Sequence, residues 1–435
     1  MNDASSLPVV IVGGGFSGTM LSARLAERGQ ASVLIERSDV VGLGVAYSTP
    51  LDAHRLNVRA GRMSATTDRP GDFVDWLKTH HPDQADANGF APRRLYALYI
   101  LDRLAAVDAA CPGLIRRVTD TVVAIDGPVA VLSDGERIEG RAVILATGNP
   151  APRTASPDQG QRVIADPWAP HALSPIQPGE DVLILGTGLT MVDVLLALQT
   201  QGWRGRATAV SRRGLLPRAH GPHHDAPIDL PPEALTDPLS TRLAVARRLA
   251  RAHGWRRVME GYRPITLDLW RAATDAERAR FLRHLRPWWD VHRHRIAPEI
   301  AAGLDQRLAE GRLIVRPGRI REVKASPDAV MMRVAARDAA EQTLSAPWLI
   351  DCTGPGHDVT TASLTAGLIA EGRARLAASR LGLDLDEAGR VLHADGTPDP
   401  DLYVLGPPAR AAFWETIAVP DIRQRIEALA DLLTV

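Results

Sequence analysis

The order of apolar and polar positions repeats one pattern at two places along the chain. Val9–Gly18 and Asp181–Thr190 each begin with a short apolar run, continue into glycines and end in the residue spacing of a helix. That order is typical of a buried strand, a tight turn and a helix. The two segments therefore predict two strand–turn–helix units, one at the start of the chain and one near its middle.

The rest of the chain carries weaker patterns. A buried strand is predicted at Arg141–Gly148, and the prolines after it predict a crossover linker over residues 150–179. Residues 231–310 have the spacing of helices, and Pro287 is expected to break one of them just before the pair Trp288–Trp289. Further strands, and then a final helix, are predicted at Leu313–Arg316, Val330–Val334, Trp348–Cys352, Leu402–Leu405 and Asp421–Leu433.

This order predicts an α/β fold with two Rossmann-like dinucleotide-binding domains. Strand and glycine elements return at the end of the chain, so the first domain is expected to be split over residues 1–150 and 345–435. The second domain, residues 178–345, is then inserted into the first. The helical stretch at about 231–310 elaborates this second domain.

Composition narrows the classes of function. Lys+Arg and Asp+Glu are both 51 in 435 residues, so the net charge is zero and a nucleic-acid binder that relies on global charge is disfavoured. Cys111 and Cys352 are the two cysteines and form no Cys-x-x-Cys motif, which argues against a flavin–dithiol oxidoreductase. The short polar start and the lack of a long apolar run predict a cytoplasmic protein with no signal peptide and no membrane span.

The first glycine turn matches a dinucleotide-binding fingerprint. Gly13, Gly15 and Gly18 follow the apolar strand as G-x-G-x-x-G, and the next predicted strand ends in Glu36. The first glycine permits the tight turn, the second lets the backbone approach a pyrophosphate, and the third lets helix and strand pack closely. The helix N-terminus attracts phosphate, and the acid can accept the ribose hydroxyls.

The second glycine turn differs in its charge. Gly186 and Gly188 match the first two glycines, but Met191 stands where the third is expected. The following predicted strand ends at Arg212 and Arg213, which suit a 2′-phosphate, and no acid stands there to bind a 2′-hydroxyl. The turn therefore favours NADPH over NADH, and the alternative is a solvated basic turn.

Two loops favour FAD over NAD at the first turn. Val41–Thr49 and His54–Ser64 contain glycines, mix polar with apolar residues and are longer than simple connections. Such loops can line an extended pyrophosphate and a ring system. FAD is therefore the predicted cofactor of the first domain, and NADPH that of the second.

Ten motifs spread over nearly the whole chain occur together. They are GVAYST, HRLNVRAGRMS, DFVDWL, PRRLYALYI, ATGNP, GTGLTMVD, SRRGLLPRAH, WWDVHRHRIAP, DCTGP and LGPPARAAFWETIAVPDIR. Together they resemble a bacterial family of FAD/NAD(P)-binding proteins that is distantly related to flavin N-hydroxylases of amino acids and to other class B flavin monooxygenases. The resemblance implies a flavoprotein fold with FAD and a pyridine nucleotide.

The resemblance also implies which residues lie near the flavin. It places His54, Asn57 and Met63 near the flavin and the segment Trp414–Ile417 beside the isoalloxazine, although a hydrogen-bonded loop histidine is an equal alternative for His54. His54, Asn57 and Trp414 are the near-flavin candidates, and no residue is assigned a catalytic role. The predicted cofactor-binding positions are Gly13, Gly15, Phe16, Ser17, Gly18, Glu36, Arg37, Gly44, Val45, Ala46, Tyr47, His54, Asn57, Met63, Val122, Ala146, Thr147, Gly148, Gly186, Gly188, Leu189, Thr190, Arg212, Arg213, Gly406, Trp414, Glu415 and Ile417.

Two further clusters bear on the site. His220, His223, His224 and Asp225 match no standard zinc spacing, so no metal is predicted and a loop that lines the nicotinamide cleft is preferred. The aromatic and basic segment Trp288–Arg295 has two equal interpretations: a surface that stacks on a planar or anionic ligand, or core tryptophans beside paired arginines.

Other reactive residues are expected to be structural. Asp193 follows the second glycine turn and is expected to cap or orient a loop, and Cys352 is expected to be a buried thiol. No Ser/His/Asp order and no paired-carboxylate motif stands out. This fits a flavin enzyme, in which the cofactor carries the chemistry and the protein supplies position and electrostatics.

The leading functional prediction is an NADPH-dependent FAD oxidoreductase. Its preferred form is a class B-like flavin monooxygenase, which uses O2 to hydroxylate nitrogen or carbon in a small polar amine or amino-acid-like substrate. The arginines of residues 242–295 suit an anionic group on that substrate. Two alternatives stay open: an NAD(P)H-dependent flavin reductase or dehydrogenase without oxygen transfer, and a flavin-bearing regulatory or binding protein.

Overall fold

The computed structural model describes residues 7–150, 160–236, 238–336, 340–354, 356 and 358–434. Its strands are β1 (Val9–Val12), β2 (Ser32–Glu36), β3 (Ile115–Thr119), β4 (Val122–Asp126), β5 (Val129–Leu132), β6 (Arg137–Glu139), β7 (Ala142–Leu145), β8 (Val163–Ile164), β9 (Val182–Leu185), β10 (Ala207–Ser211), β11 (Leu313–Pro317), β12 (Arg319–Ala325), β13 (Val330–Ala335), β14 (Gln342–Ala346), β15 (Trp348–Asp351), β16 (Arg390–Leu392) and β17 (Pro398–Val404). Its helices are α1 (Phe16–Glu27), α2 (Gly44–Tyr47), α3 (Asp72–His80), α4 (Arg93–Ala110), α5 (Leu189–Thr200), α6 (Leu239–His253), α7 (Trp255–Tyr262), α8 (Thr266–Ala272), α9 (Asp275–His284), α10 (Arg286–Arg293), α11 (Pro298–Ala309), α12 (Ser363–Ala370) and α13 (Val419–Leu433).

The first sheet is built from both ends of the described chain. Its order is β16-β17-β7-β1-β2-β3, and its strands are parallel except at β16. Val9 and Ile11 pack into a core with α1, α4 and α13, while Val10 and Val12 pack into a second core with β4–β6 and α12. Every position of β1 is apolar because both faces of the sheet are covered.

The second sheet is built from the middle of the chain. Its order is β11-β10-β9-β15-β8, and all its pairings are parallel. Helices α5 and α11 cover one face, and the antiparallel sheet β12-β13-β14 covers the other. The short strand β8 lies inside the predicted linker 150–179, of which residues 151–159 fall outside the described residues.

The order of the strands shows that the chain leaves the first sheet and later returns to it. The chain leaves the first sheet after β7, completes the second sheet with β15, and comes back with β17 beside β7. The expected boundary at residue 345 precedes β15, whose pairing with β9 extends the second sheet to Asp351. The limits of the two domains stay a prediction.

Residues 231–310 fold into α6 to α11, in agreement with the predicted helical stretch. The break near Pro287 occurs earlier than expected. Helix α9 ends at His284 and α10 begins at Arg286, so Pro287 lies in the first turn of α10, where its missing N–H costs nothing. The pair Trp288–Trp289 therefore lies inside α10 and not beyond a helix end.

Candidate functional site

The first glycine turn joins β1 to α1. Gly13 has φ of 109°, and a Cβ there would lie 2.4 Å from the carbonyl oxygen of Ala146. A Cβ on Gly18 would lie 2.0 Å from the carbonyl oxygen of Gly13, so both positions are closed by backbone. A Cβ on Gly15 would meet Gly44 Cα at 3.7 Å as its nearest described atom. The turn is thus packed on the inside and open at Gly15, as a phosphate cradle requires.

The acid at the end of β2 reaches this turn. Glu36 Oε2 accepts a hydrogen bond from the backbone N–H of Gly14 at 2.6 Å, and Oε1 accepts one from the backbone N–H of Ser38 at 3.2 Å. The carboxylate is half-buried, and the neighbouring Arg37 is exposed. A carboxylate has about four lone-pair sites, so Glu36 can also accept a sugar hydroxyl beside the turn.

His54 is buried and both of its ring nitrogens are engaged. Nδ1 lies 2.6 Å from Thr49 Oγ1, and Nε2 lies 2.9 Å from the carbonyl oxygen of Asp193. A carbonyl only accepts, so Nε2 carries the proton and Nδ1 accepts from the threonine hydroxyl. Burial lowers the pKa of His54, which keeps the ring neutral. The Asp193 carboxylate pairs with Arg93 at 2.9 Å, which fits the expected structural role.

Three more of the predicted cofactor-binding positions lie in different surroundings. The carbonyl oxygen of Asn57 accepts a hydrogen bond from His220 Nε2 at 3.0 Å. Met63 is buried in the core beside α1, and Val122 is buried in the core on the opposite face of the sheet. The structure therefore brings Asn57 next to the histidine-rich loop, and their contact with a cofactor stays a prediction for all three residues.

The C-terminal segment touches the first turn and the helical insert. A Cβ on Gly406 would lie 2.8 Å from Ser17 Oγ on α1. Trp414 is 2% exposed, and its ring stacks on that of Trp270 with centroids 4.7 Å apart. Glu415 accepts a hydrogen bond from Trp289 Nε1 at 3.1 Å. The predicted flavin-side segment is thus held by aromatic residues of the insert.

The second glycine turn repeats the construction of the first. Gly186 has φ of 94°, and a Cβ there would lie 2.5 Å from the carbonyl oxygen of Cys352. A Cβ on Gly188 would meet no described atom within 4 Å. Met191, in place of the third glycine, is fully buried on α5. Burial raises the pKa of the Cys352 thiol, as expected for a structural cysteine.

The end of β10 carries the basic side chains of this second turn. Arg212 and Arg213 are both exposed, and Arg213 Nη1 donates to the carbonyl oxygen of His284 at 3.1 Å. Thr187, inside the glycine turn, donates to the carbonyl oxygen of Leu215 at 2.6 Å and so fixes the loop beyond β10. Arg212 and Arg213 therefore stand where the strand after the second turn ends, as predicted.

The histidine-rich loop is tied to the first domain and does not form a chelating group. His220 bonds to Asn57, His224 Nε2 lies 3.3 Å from Arg62 Nη1, and the carbonyl oxygen of His223 accepts from Arg59 at 2.9 Å. Within the described residues, no three His, Cys, Asp or Glu side chains come together as metal ligands.

The described helices include none that is long and apolar enough to cross a membrane.

Arg59 is a residue of this region that the sequence reasoning missed. It is 6% exposed, and its guanidinium donates to the carbonyl oxygens of Gly221 and His223 at 2.7 and 2.9 Å. It therefore locks the loop after β2 to the loop after β10. Its only signal in the sequence was its place as one of three arginines in the motif HRLNVRAGRMS, and arginine is usually a surface residue.

The two turns are the characteristic feature of a fold with two dinucleotide-binding units. Residues 10–150 match the family model described as FAD-NAD(P)-binding, so this part of the chain is an FAD/NAD(P)-binding domain, as predicted. No curated protein matches the chain in sequence.

Solved structures match the chain over almost its whole length. The reduced ornithine hydroxylase of Pseudomonas aeruginosa is 15% identical, with a TM-score of 0.65 and 98% of each chain covered. The FAD-bound cadaverine monooxygenase of Erwinia amylovora is 12% identical, with a TM-score of 0.68, covering 98% of this chain and 94% of that one. The thioredoxin reductase of T. acidophilum is 12% identical, with a TM-score of 0.52 and 98% of each chain covered. At these identities the likeness shows the fold alone, and it confirms the predicted α/β fold with two dinucleotide-binding units.

Proposed function

We propose that this protein is an NADPH-dependent FAD oxidoreductase that works as a flavin monooxygenase on a small polar amine or amino-acid-like substrate. The proposal rests on one observation: the two glycine turns are built alike, but the strands that follow them end in residues of opposite charge. Glu36 ends the strand after the first turn, and Arg212 and Arg213 end the strand after the second. An acid suits a free ribose, and arginines suit a 2′-phosphate.

In this proposal the residues of the two turns bind and orient the cofactors. Gly15 and the N-terminus of α1 hold the pyrophosphate of FAD, and Glu36 accepts a ribose hydroxyl. Gly188 and the N-terminus of α5 do the same for NADPH, with Arg212 on its 2′-phosphate. FAD, when bound, would supply the redox chemistry by which two electrons from NADPH reduce O2, with one oxygen atom going to the substrate and the other to water.

Two observations favour oxygen transfer over simple reduction. A dithiol reductase needs two neighbouring cysteines, whereas Cys111 is half-buried after α4 and Cys352 is buried after β15. The two solved structures of highest TM-score given above are an ornithine hydroxylase and a cadaverine monooxygenase. Both points support the monooxygenase form of the proposal.

The test is anaerobic mixing of the FAD-loaded protein with NADPH and, separately, with NADH. We expect the flavin absorbance to bleach faster with NADPH. Oxygenated buffer and candidate amines are then added, and NADPH consumption is compared with hydroxylated product. Matching amounts support oxygen transfer, whereas NADPH consumption with peroxide and no product from any amine favours the reductase. No bleaching by either nucleotide overturns the second site and favours a regulatory flavoprotein.

A further inference from the structure

A cavity of about 280 Å³ lies between α5 and α11, the helices that cover one face of the second sheet. The loop after β2 contributes Ala53 and Arg55 to its wall. The glycines of the two turns are not among its lining residues, so the cavity is separate from both predicted dinucleotide sites. Its volume is close to the lower limit of sites that bind small molecules.

Most of the cavity wall is apolar. Val192, Leu195 and Leu196 line it from α5, and Ile300 and Leu304 line it from α11. An apolar group placed against these side chains removes apolar surface from water on both sides of the contact, which is favourable. The cavity therefore suits the hydrocarbon part of a ligand.

A buried arginine belongs to the same wall. Arg307 is 8% exposed, and its Nη2 donates to Gln199 Oε1 at 2.6 Å, whereas its buried Nη1 has no acceptor among the described residues. Burial, followed by repulsion from Arg312, lowers the pKa of Arg307, and Glu310 acts in the opposite direction. Glu310 itself lies 3.9 Å from Arg312. Within the described residues Arg307 thus has a neutral amide as its hydrogen-bond acceptor, although buried charges are normally paired.

The side chains that line the cavity carry more positive than negative charge. Arg55 donates to Gln84 Oε1 at 3.0 Å and to the carbonyl oxygen of Phe90 at 3.3 Å, and both acceptors are neutral. Glu299 also lines the cavity, but it is exposed. In the described part of the chain, neither Arg55 nor Arg307 forms an ion pair with a carboxylate. The charge of the wall therefore suits an anionic ligand.

We propose that this cavity binds a small carboxylate with a short hydrocarbon chain, the carboxylate held by Arg307 and the chain lying against α5 and α11. A guanidinium group suits a carboxylate because it offers two parallel N–H donors. The side-chain amide N–H groups of Gln199 are further donors, since its Oε1 already accepts from Arg307. The cavity is separate from the two glycine turns, so this binding does not depend on the proposed function.

The test measures binding to the oxidised, FAD-loaded protein without NADPH and without turnover. Hexanoate is the probe, and neutral hexanamide and the shorter acetate are compared with it at constant ionic strength. Saturation-transfer NMR and the melting temperature follow binding. We expect hexanoate to bind saturably. Binding should be about tenfold weaker or more for hexanamide, which lacks the charge, and for acetate, which lacks the chain.

Two variants locate the site. Arg307→Met removes the charge and keeps an apolar side chain, so the hexanoate midpoint should rise about tenfold or more while that of hexanamide changes little. Gly303→Leu places a side chain on the cavity wall, where a Cβ meets no described atom within 4 Å, and leucine favours a helix. It should abolish hexanoate binding, and it serves if Arg307→Met does not fold. Gly367→Leu, at a helical glycine of α12 with the same open space, is the control and should bind hexanoate as the wild type does.

Three results would overturn the proposal. The first is no saturable binding of hexanoate, or an unchanged hexanoate midpoint in Arg307→Met or in Gly303→Leu. The second is equal binding of hexanoate and hexanamide, which would identify an apolar site without a preference for anions. The third is a wild-type dimer that Gly303→Leu dissociates in light scattering, because a second copy of the chain would then cover the cavity.

Discussion

His54 Nε2 donates a hydrogen bond of 2.9 Å to the carbonyl oxygen of Asp193, across 139 residues of sequence. This bond joins the loop after β2 to helix α5, which follows the second glycine turn. Asp193 is further fixed by Arg93 at the start of α4. The loop predicted near the flavin is therefore mechanically tied to the helix predicted to receive NADPH.

His54 is expected to position these elements and not to transfer protons. His54→Gln places an amide where Nε2 stood, so the contact with Asp193 can be kept. We expect flavin reduction by NADPH to stay within about tenfold of wild type, since loss of a general acid or base costs about 100-fold to 10,000-fold. His54→Ala, which removes both contacts, should destabilise the protein by about 1–3 kcal/mol in thermal or urea unfolding. A rate loss of that larger size in the glutamine variant would identify a catalytic histidine instead.

The first glycine of each turn allows the two sites to be separated. Gly13→Ala and Gly186→Ala each push a Cβ into a carbonyl, at 2.4 and 2.5 Å, from a backbone of positive φ. We expect Gly13→Ala to be purified without FAD, and Gly186→Ala to keep FAD but to lose reduction by NADPH. Flavin content and anaerobic bleaching measure the two effects.

A matched glycine shows whether these effects are local. Gly179, in the turn before β9, has open space around it and serves as the control, since Gly179→Ala should keep both FAD and NADPH reduction. If Gly186→Ala were still reduced by NADPH at the wild-type rate, the second turn would not be the nucleotide site.

The regular units were predictable because local sequence determines them. Val9–Val12 is apolar throughout, the glycines follow at once, and the helix starts at Phe16, so no distant residue is needed to predict β1, the turn and α1. The sheet β12-β13-β14 was predicted only at β13. In the flanking strand Arg319–Ala325 a register shift between Ile320 and Glu322 interrupts the alternation. The other flanking strand, Gln342–Ala346, is short and has few apolar residues.

The pairings that build the site could not be predicted in this way. Arg59 locks two loops through backbone carbonyls that lie more than 160 residues away, and carbonyls leave no mark in a sequence. Glu260 and Arg263 look like ordinary charged positions of a helical stretch. Only the fold shows that Arg263 lies close enough to Asp421, on the last helix, for the two charges to interact.

Arg212 is expected to set the preference between the two nicotinamide nucleotides. Arg212→Ser removes an exposed guanidinium at the end of β10, and Arg213 is already held by the carbonyl oxygen of His284. We expect the Kd for NADPH to rise about tenfold or more and that for NADH to change little, because only NADPH carries the 2′-phosphate. Arg206→Gln is the control, because Arg206 pairs with Asp181 at the opposite end of β10. Equal weakening of both nucleotides would argue against a phosphate contact.

His220 should make the stability of the folded protein fall in mild acid. Burial lowers the pKa of His220 from 6.5 to about 4, with the ring beside Phe90 and Nε2 bonded to the carbonyl oxygen of Asn57. Between those two values the unfolded chain binds a proton that the folded chain does not. This contribution is therefore fully present above pH 6.5 and is lost as the pH falls toward 4, by up to about 3 kcal/mol.

The measurement is the melting temperature of the FAD-loaded protein at neutral pH and near pH 5, for wild type and His220→Gln. Glutamine does not titrate, so the variant should lose less stability on acidification even if it is less stable at neutral pH. His223→Gln is the control, because His223 contributes its backbone carbonyl and not its ring to the contact with Arg59. A wild-type slope in His220→Gln would contradict the prediction, because it would mean that the folded ring takes up its proton as readily as the unfolded one.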